Sequence, residues 1–223
     1  MAELQRALVA GNCAPFTEVE LPTESRSERA AAEPSEPTAS WTMRVDPLLL
    51  DECVAGDEAA WRHLHRLCYP RASAFLRKLG VSEPDLEDAA QEVFVQLFRY
   101  LPSFRREAEL STWLFRVCIT QARTVRRRKR LTHTLYRVLS LAPPPLLIST
   151  PSLPDEIVRR RVEAALASLS DRDRAVFVLY EMEGVPGKRI SEIVDSPEAS
   201  VWRRLHGARQ SFRRALEADD GCA

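Results

Sequence analysis

The sequence predicts an all-α protein of two small helical units joined by a flexible, proline-rich linker. Three observations carry that prediction. Every stretch with a clear apolar period repeats at three- and four-residue steps, the spacing of a helix face. Start and stop residues bracket those stretches: Asp46-Pro47, Asp57 and Ser170 at openings, Gly56, Gly80 and Gly184 at ends. Between Leu131 and Pro154 the period dissolves, and Pro143, Pro144, Pro145, Pro151 and Pro154 exclude a continuous helix beyond Leu141.

Residues 1–42 are rich in Pro, Ser, Thr, Glu and Ala and are expected to form a disordered extension. Folding signals begin at Met43, which is also a candidate true start of the chain. Asp46-Pro47 opens a short helix ended by Gly56. Asp57 opens a second helix to about Lys78, with Ala60, Trp61, Leu64, Leu67, Cys68, Ala72 and Phe75 on its inner face. A third begins near Pro84 and carries Leu86, Ala90, Val93, Phe94, Leu97, Phe98 and Leu101 on one stripe. Pro102 opens a loop to Leu110, and Ser111 is expected to cap a fourth helix through Trp113, Leu114, Val117 and Cys118 into Arg126–Arg130. This gives a first unit over 43–130 and a linker over 131–154.

The second unit, 155–217, opens at Asp155 with Ile157, Val158, Val162, Ala165, Leu166 and Leu169 on one face. Ser170-Asp171-Arg172-Asp173 resembles a capping box for the next helix. A short helix with Ile190, Ile193 and Val194 then leads through Asp195-Ser196-Pro197 into a last helix, Glu198 to Glu217, and a tail over 218–223. That short helix, tight break and longer helix follow the helix-turn-helix plan.

Composition limits the function classes. The 223 residues sum to a net charge of +0 with 29% charged, but the arginines crowd into Arg123–Arg130 and Arg203–Arg214 while acids gather at Asp85, Glu87, Asp88 and Glu92. Separated charge blocks of this kind present a basic face to nucleic acid. Five scattered cysteines without a CxxC pair argue against a zinc ribbon or a disulfide framework and read as reduced thiols of a cytoplasmic chain. No apolar run reaches membrane-spanning length and no secretory signal opens the chain, so no membrane insertion is expected. No nucleophile motif, phosphate loop or paired acids suggest an enzyme, and no cofactor is expected. His63 and His65 lie about 200° apart on a helix, so they do not share a metal ion with Cys68.

Two basic regions carry the functional reading. In the last helix Val201, Leu205, Ala208 and Phe212 face inward, which leaves Ser200, Trp202, Arg203, His206, Arg209 and Arg213 for solvent or DNA. Arginine there either pairs with guanine or holds phosphate. The second region, Arg126-Arg127-Arg128-Lys129-Arg130, exceeds what a helix C-terminus needs and suits a phosphate backbone. Phe104, Arg105 and Arg106 in the nearby loop combine aromatic and guanidinium planes, a pairing that suits single-stranded DNA.

In these motifs the chain resembles the extracytoplasmic-function (ECF) sigma factors of bacterial RNA polymerase. Asp88-Ala89-Ala90-Gln91-Glu92-Val93-Phe94 is similar to the family's acidic helix. Thr112-Trp113-Leu114-Phe115-Arg116-Val117, ending in Arg126–Arg130, is similar to the helix after it. Leu169 to Arg209 matches the family's second region without a gap, through Ile190-Ser191-Glu192-Ile193, Val201 and Arg204-Leu205-His206. The resemblance implies docking on the clamp helices of the largest polymerase subunit by Asp85, Asp88, Gln91 and Glu92. It implies opening and reading of the −10 promoter element by Phe104, Arg105, Arg106 and the run Arg126, Arg127, Arg128, Lys129 and Arg130. It implies reading of the −35 element by Ser200, Trp202, Arg203, Arg204, His206 and Arg209, with core RNA polymerase, promoter DNA and an anti-sigma factor as partners. The alternative is a helix-turn-helix regulator that binds duplex DNA without polymerase. Departures from the family pattern cluster in the second unit: Val185-Pro186-Gly187-Lys188-Arg189 replaces the usual Leu-Ser-Tyr-Glu-Glu, and Trp202 replaces a usual Lys or Arg. They suggest an altered promoter preference or a partly degenerate member of the family, rather than another fold. In the first unit, Thr120 and Thr124 stand where Asn and Asp are common.

Overall fold

The computed structural model describes Met43, residues 45–104, 109–138 and 154–220, and every regular element among them is helical. Four helices form the first unit: α1 (Pro47–Val54), α2 (Glu58–Lys78), α3 (Glu83–Tyr100) and α4 (Leu110–Val138). Four form the second: α5 (Pro154–Ala167), α6 (Asp171–Phe177), α7 (Gly187–Val194) and α8 (Glu198–Asp220). The predicted extension 1–42 and most of the predicted linker lie outside the described residues.

Local chemistry accounts for the helix starts. Asp46 accepts the Leu48 N–H at 2.9 Å at the head of α1, and Asp57 accepts from Ala59 and Ala60 at 2.7 and 3.1 Å at the head of α2. The Ser170 hydroxyl accepts the Asp173 N–H at 3.2 Å and donates to the Asp173 carboxylate at 2.6 Å, so one side of the capping box forms. Helix α6 passes into a turn of π-helix over Val178–Met182 before Gly184.

In the first unit Leu64, Cys68, Ala72, Phe75 and Leu76 of α2 meet Leu86, Val93 and Leu97 of α3 and Leu114, Phe115 and Cys118 of α4, all buried. The Phe75 and Phe115 rings lie 4.6 Å apart at the centre. In the second unit Leu166, Val176, Leu179, Ile190, Val201, Leu205 and Phe212 are buried, with the Phe177 and Phe212 rings 4.7 Å apart, and they continue the same core. Cys53, Cys68 and Cys118 are free and buried, and burial pushes the Cys68 thiol up to about 12.

The structure corrects four expectations. Residues 131–138, expected in the linker, belong to α4, which runs to Val138 within the limit at Leu141, because no Gly or Pro interrupts the chain between Ser103 and Pro143. Ser111 does not cap it: the helix opens at Leu110, Ser111 is buried, and its hydroxyl donates to Glu109. Leu67 and Phe98 lie at the edges of their stripes and are 44% and 61% exposed. Ile157 and Val158 are also exposed, and the buried face of α5 begins only at its C-terminal half with Ala165 and Leu166.

Candidate nucleic-acid interface

Helices α7 and α8 and the turn between them position the first candidate surface. Asp195 ends α7 in the left-handed region (φ 50°), a conformation that Asp tolerates and that turns the chain sharply. Ile190 and Ile193 of α7 pack with Val201 and Leu205 of α8, all buried, so the opposite side of α8 faces out. On it stand Trp202, Arg203, His206, Arg213 and Arg214. Arg203 donates to the half-buried Ser200 hydroxyl at 3.1 Å, and His206 shares a hydrogen bond with Gln210 at 3.0 Å.

Arg204 and Arg209 are placed differently. Arg204 pairs with Asp173 of α6 at 3.3 Å. Arg209 pairs with Glu181 at 2.6 Å and lies over the Tyr180 ring, 5.3 Å from its centroid. Glu181 is buried, so this pair ties α8 to the turn after α6. Both arginines hold the unit together as they are placed here.

The second basic region also meets acids. Arg126, with its side chain 19% exposed, pairs with Asp171 at 3.2 Å and donates to the Leu79 carbonyl at 3.2 Å. Arg130 pairs with the same carboxylate at 2.8 Å. Lys129 donates to the Ser82 hydroxyl at 2.8 Å and pairs with Asp85 at 3.4 Å. Burial works against the Asp171 charge, but the hydrogen bond from Arg130 and the charges of Arg126, Arg130 and Arg123 hold its carboxyl below the usual range. Arg127 and Arg128 are exposed, with no ion pair to another described residue.

Asp171 belongs to the second unit and α4 to the first, so this cluster joins the two. The junction continues through Arg174, which is buried and donates from Nε to the Lys78 carbonyl at 2.7 Å. Burial, with Arg126 adding, lowers the Arg174 guanidinium to about 10. Gly80 (φ 88°) leaves room for it: a Cβ there would lie 2.6 Å from Arg174 Nη1. Lys78 pairs with Glu183 at 2.8 Å, and Arg116 donates to the Glu192 carbonyl. Sequence reasoning read Asp171 only as part of a helix start and did not single out Arg174.

On α3, Asp88, Gln91 and Glu92 are exposed, and the surface continues into Val95 (42% exposed) and Phe98. Asp85 is half-buried on the Lys129 side. Phe104 is half-buried beside Tyr100, 5.8 Å between centroids, and Tyr100 stacks on Trp113 at 4.8 Å. Arg105 and Arg106 lie outside the described residues. Among the described residues no helix is long and apolar enough to cross a membrane.

Comparison with known proteins matches both units. Residues 60–132 match the family model of sigma-70 region 2, and residues 159–212 match that of sigma-70 region 4. The ECF RNA polymerase sigma-E factor of Escherichia coli (strain K12) is 27% identical over 193 residues, covering 78% of this chain and 95% of that protein. RNA polymerase sigma factor NccH of Alcaligenes xylosoxydans xylosoxydans is 24% identical over 179 residues, covering 78% and 96%. The fold is similar to that of CnrH solved in complex with the cytosolic domain of CnrY, with TM-score 0.59 and 21% identity over 77% of this chain and 97% of that one. It is also similar to the sigma factor RpoE solved with the anti-sigma factor NepR from Bartonella quintana, with TM-score 0.54 and 20% identity over 71% and 97%. With a region 2 unit and a region 4 helix-turn-helix in family order, and sigma-E factors among its relatives along most of its length, the chain belongs to the ECF sigma factors.

Proposed function

We propose that this chain binds core RNA polymerase and directs it to promoters, with its two units serving different steps. One observation carries the reading: an exposed face of α3 bearing Asp88, Gln91 and Glu92 precedes, in one chain, a helix-turn-helix whose outer face bears Trp202, Arg203 and His206. The acidic face, extended by Val95 and Phe98, suits the clamp helices of the largest polymerase subunit. Segment 104–110, with Phe104, Arg105 and Arg106, serves the opened −10 strand, and Arg127 and Arg128 hold the phosphate backbone of the adjoining duplex. Helix α8 reads the −35 element in the major groove from Ser200, Trp202, Arg203 and His206. Arg204 and Arg209 support that helix from behind. Because both solved relatives were captured with a binding partner, in one case a named anti-sigma factor, an anti-sigma factor is proposed as a partner here.

Purified chain mixed with core polymerase tests this on duplex promoter templates. Strand opening and initiation that require both components are expected. A duplex shift by the chain alone, with no gain from core polymerase, would replace the proposal with an ordinary helix-turn-helix regulator.

A further inference from the structure

Trp202 stands in the N-terminal half of α8 and is 42% exposed. Three contacts fix its ring. The indole Nε1 donates to Glu198 Oε1 at 3.2 Å, one turn back on the same helix. Tyr180 meets it edge-on, with centroids 5.4 Å apart. The ring also lies over Gly187, the first residue of α7, where an added Cβ would fall 2.5 Å from Cζ2 and 3.0 Å from Cε2. The seat therefore exists only because residue 187 has no side chain. The two departures at 187 and 202 are one feature: a side chain is missing on α7, and an indole from α8 fills its place.

An indole held in this way has little left to offer by hydrogen bonding. Its single N–H is already given to Glu198, and it has no acceptor. It cannot read the donor and acceptor pattern of a base or take hold of a phosphate. Its exposed part is rigid and apolar, flanked by Arg203 and His206, whose charged and polar groups suit duplex DNA. In the major groove only thymine offers a matching apolar group, its 5-methyl. A ring already fixed also loses little conformational freedom on contact.

We propose that Trp202 is a specificity-determining residue that packs its indole edge on a thymine methyl in the upstream promoter element, and that Gly187 is the seat that aims it. This rests on the reading of α8 as the −35 helix. The contact takes the place of the cationic reading that a Lys or Arg at 202 would supply, so the preferred element is defined at one position by shape and a methyl group.

The test uses the full chain assembled with core polymerase and a pool of promoter duplexes randomised upstream of the −10 element. In the selected sequence each thymine is then replaced in turn by deoxyuridine, which removes only the methyl. The unaltered holoenzyme is expected to lose about fourfold in affinity at one position, the size of one buried methylene-sized group. Trp202→Ala is expected to bind thymine and deoxyuridine equally there, and Gly187→Ala, which keeps the indole but displaces it, to do the same. Indifference of the unaltered holoenzyme to every replacement would overturn the proposal, as would a full deoxyuridine effect in Trp202→Ala. A full effect in Gly187→Ala would overturn the role of the seat. If the pool yields no upstream preference while the holoenzyme still initiates, the −35 reading of α8 itself fails, a distinct result.

Discussion

The two arginine-rich regions look alike as sequence and differ as structure. In α4 the run Arg126–Arg130 is contiguous, yet Arg126 and Arg130 converge on Asp171 from the other unit and Lys129 reaches Asp85. In α8 the arginines are interrupted by apolar residues. There the acids Asp173 and Glu181 take Arg204 and Arg209, while Arg203 keeps an exposed position with, among the described residues, the Ser200 hydroxyl beside it. Cation density therefore does not measure the surface offered to DNA. What decides it is which acids the fold brings opposite, and in α4 those acids also hold the two units together.

The contact between the units is most vulnerable at Asp171. Asp171→Lys replaces two attractive pairs at a largely covered site by repulsion from Arg126 and Arg130. We expect a loss of about 3 kcal/mol from the contact between units and a larger radius of gyration in small-angle scattering. An unchanged radius would mean that Asp171 does not hold the units. The next effect belongs to α8. Arg203→Ala is expected to weaken binding at the −35 element about tenfold, within the range of about 1–3 kcal/mol for a lost base contact. Affinity for core polymerase should stay intact; equal loss of both would remove Arg203 from the DNA face.

These differences explain how much could be read before the structure. The helices were legible because caps and apolar periods are local: Asp46, Asp57 and Ser170 act within three residues of their own position. The edges of apolar stripes were not, since a residue such as Phe98 is buried or exposed according to what packs beside it. Residues 131–138 of α4 fall in the expected linker although Leu131, Leu135 and Val138 keep helical spacing, because the prolines from Pro143 onward set that boundary rather than the spacing itself. The pairing of Arg130 with Asp171 spans 41 positions and depends on how two units meet, which no local pattern encodes. Gly187 and Trp202 were each visible as departures; only the ring lying on the glycine joins them.

Within α8, Arg209→Ala sharpens the contrast with Arg203. It leaves the buried Glu181 carboxylate without its partner, so a loss of about 1 kcal/mol in unfolding free energy is expected, with base preference at the −35 element unchanged. A changed preference at unchanged stability would return Arg209 to the DNA face. A smaller effect follows from pH. The folded Asp171 carboxyl sits below its ordinary value of 3.8, so its contribution is complete above that value and is lost as pH falls through the lower folded value. The contact between units should therefore loosen at strongly acid pH in the unaltered chain, and show no such transition in Asp171→Asn. Identical acid profiles by small-angle scattering would assign the loosening to other groups.

The smallest effect tests the division inside the α4 run itself. Each cation that neutralises a phosphate contributes about 0.9 to the slope of log affinity against log salt. Arg127 and Arg128 are exposed without an acid opposite among the described residues, so the doubly substituted Arg127→Ala, Arg128→Ala chain should lose about 1.8 from that slope on duplex DNA. Arg126→Ala should change it less, because in the unaltered chain that guanidinium already faces Asp171 and the Leu79 carbonyl. A loss of about 0.9 from Arg126→Ala, a full phosphate contact, would mean that the units separate when DNA binds and that the whole run reaches phosphate. In that case Asp171 would compete with DNA for Arg126 and Arg130, and Asp171→Asn should then raise the affinity of the free chain for duplex.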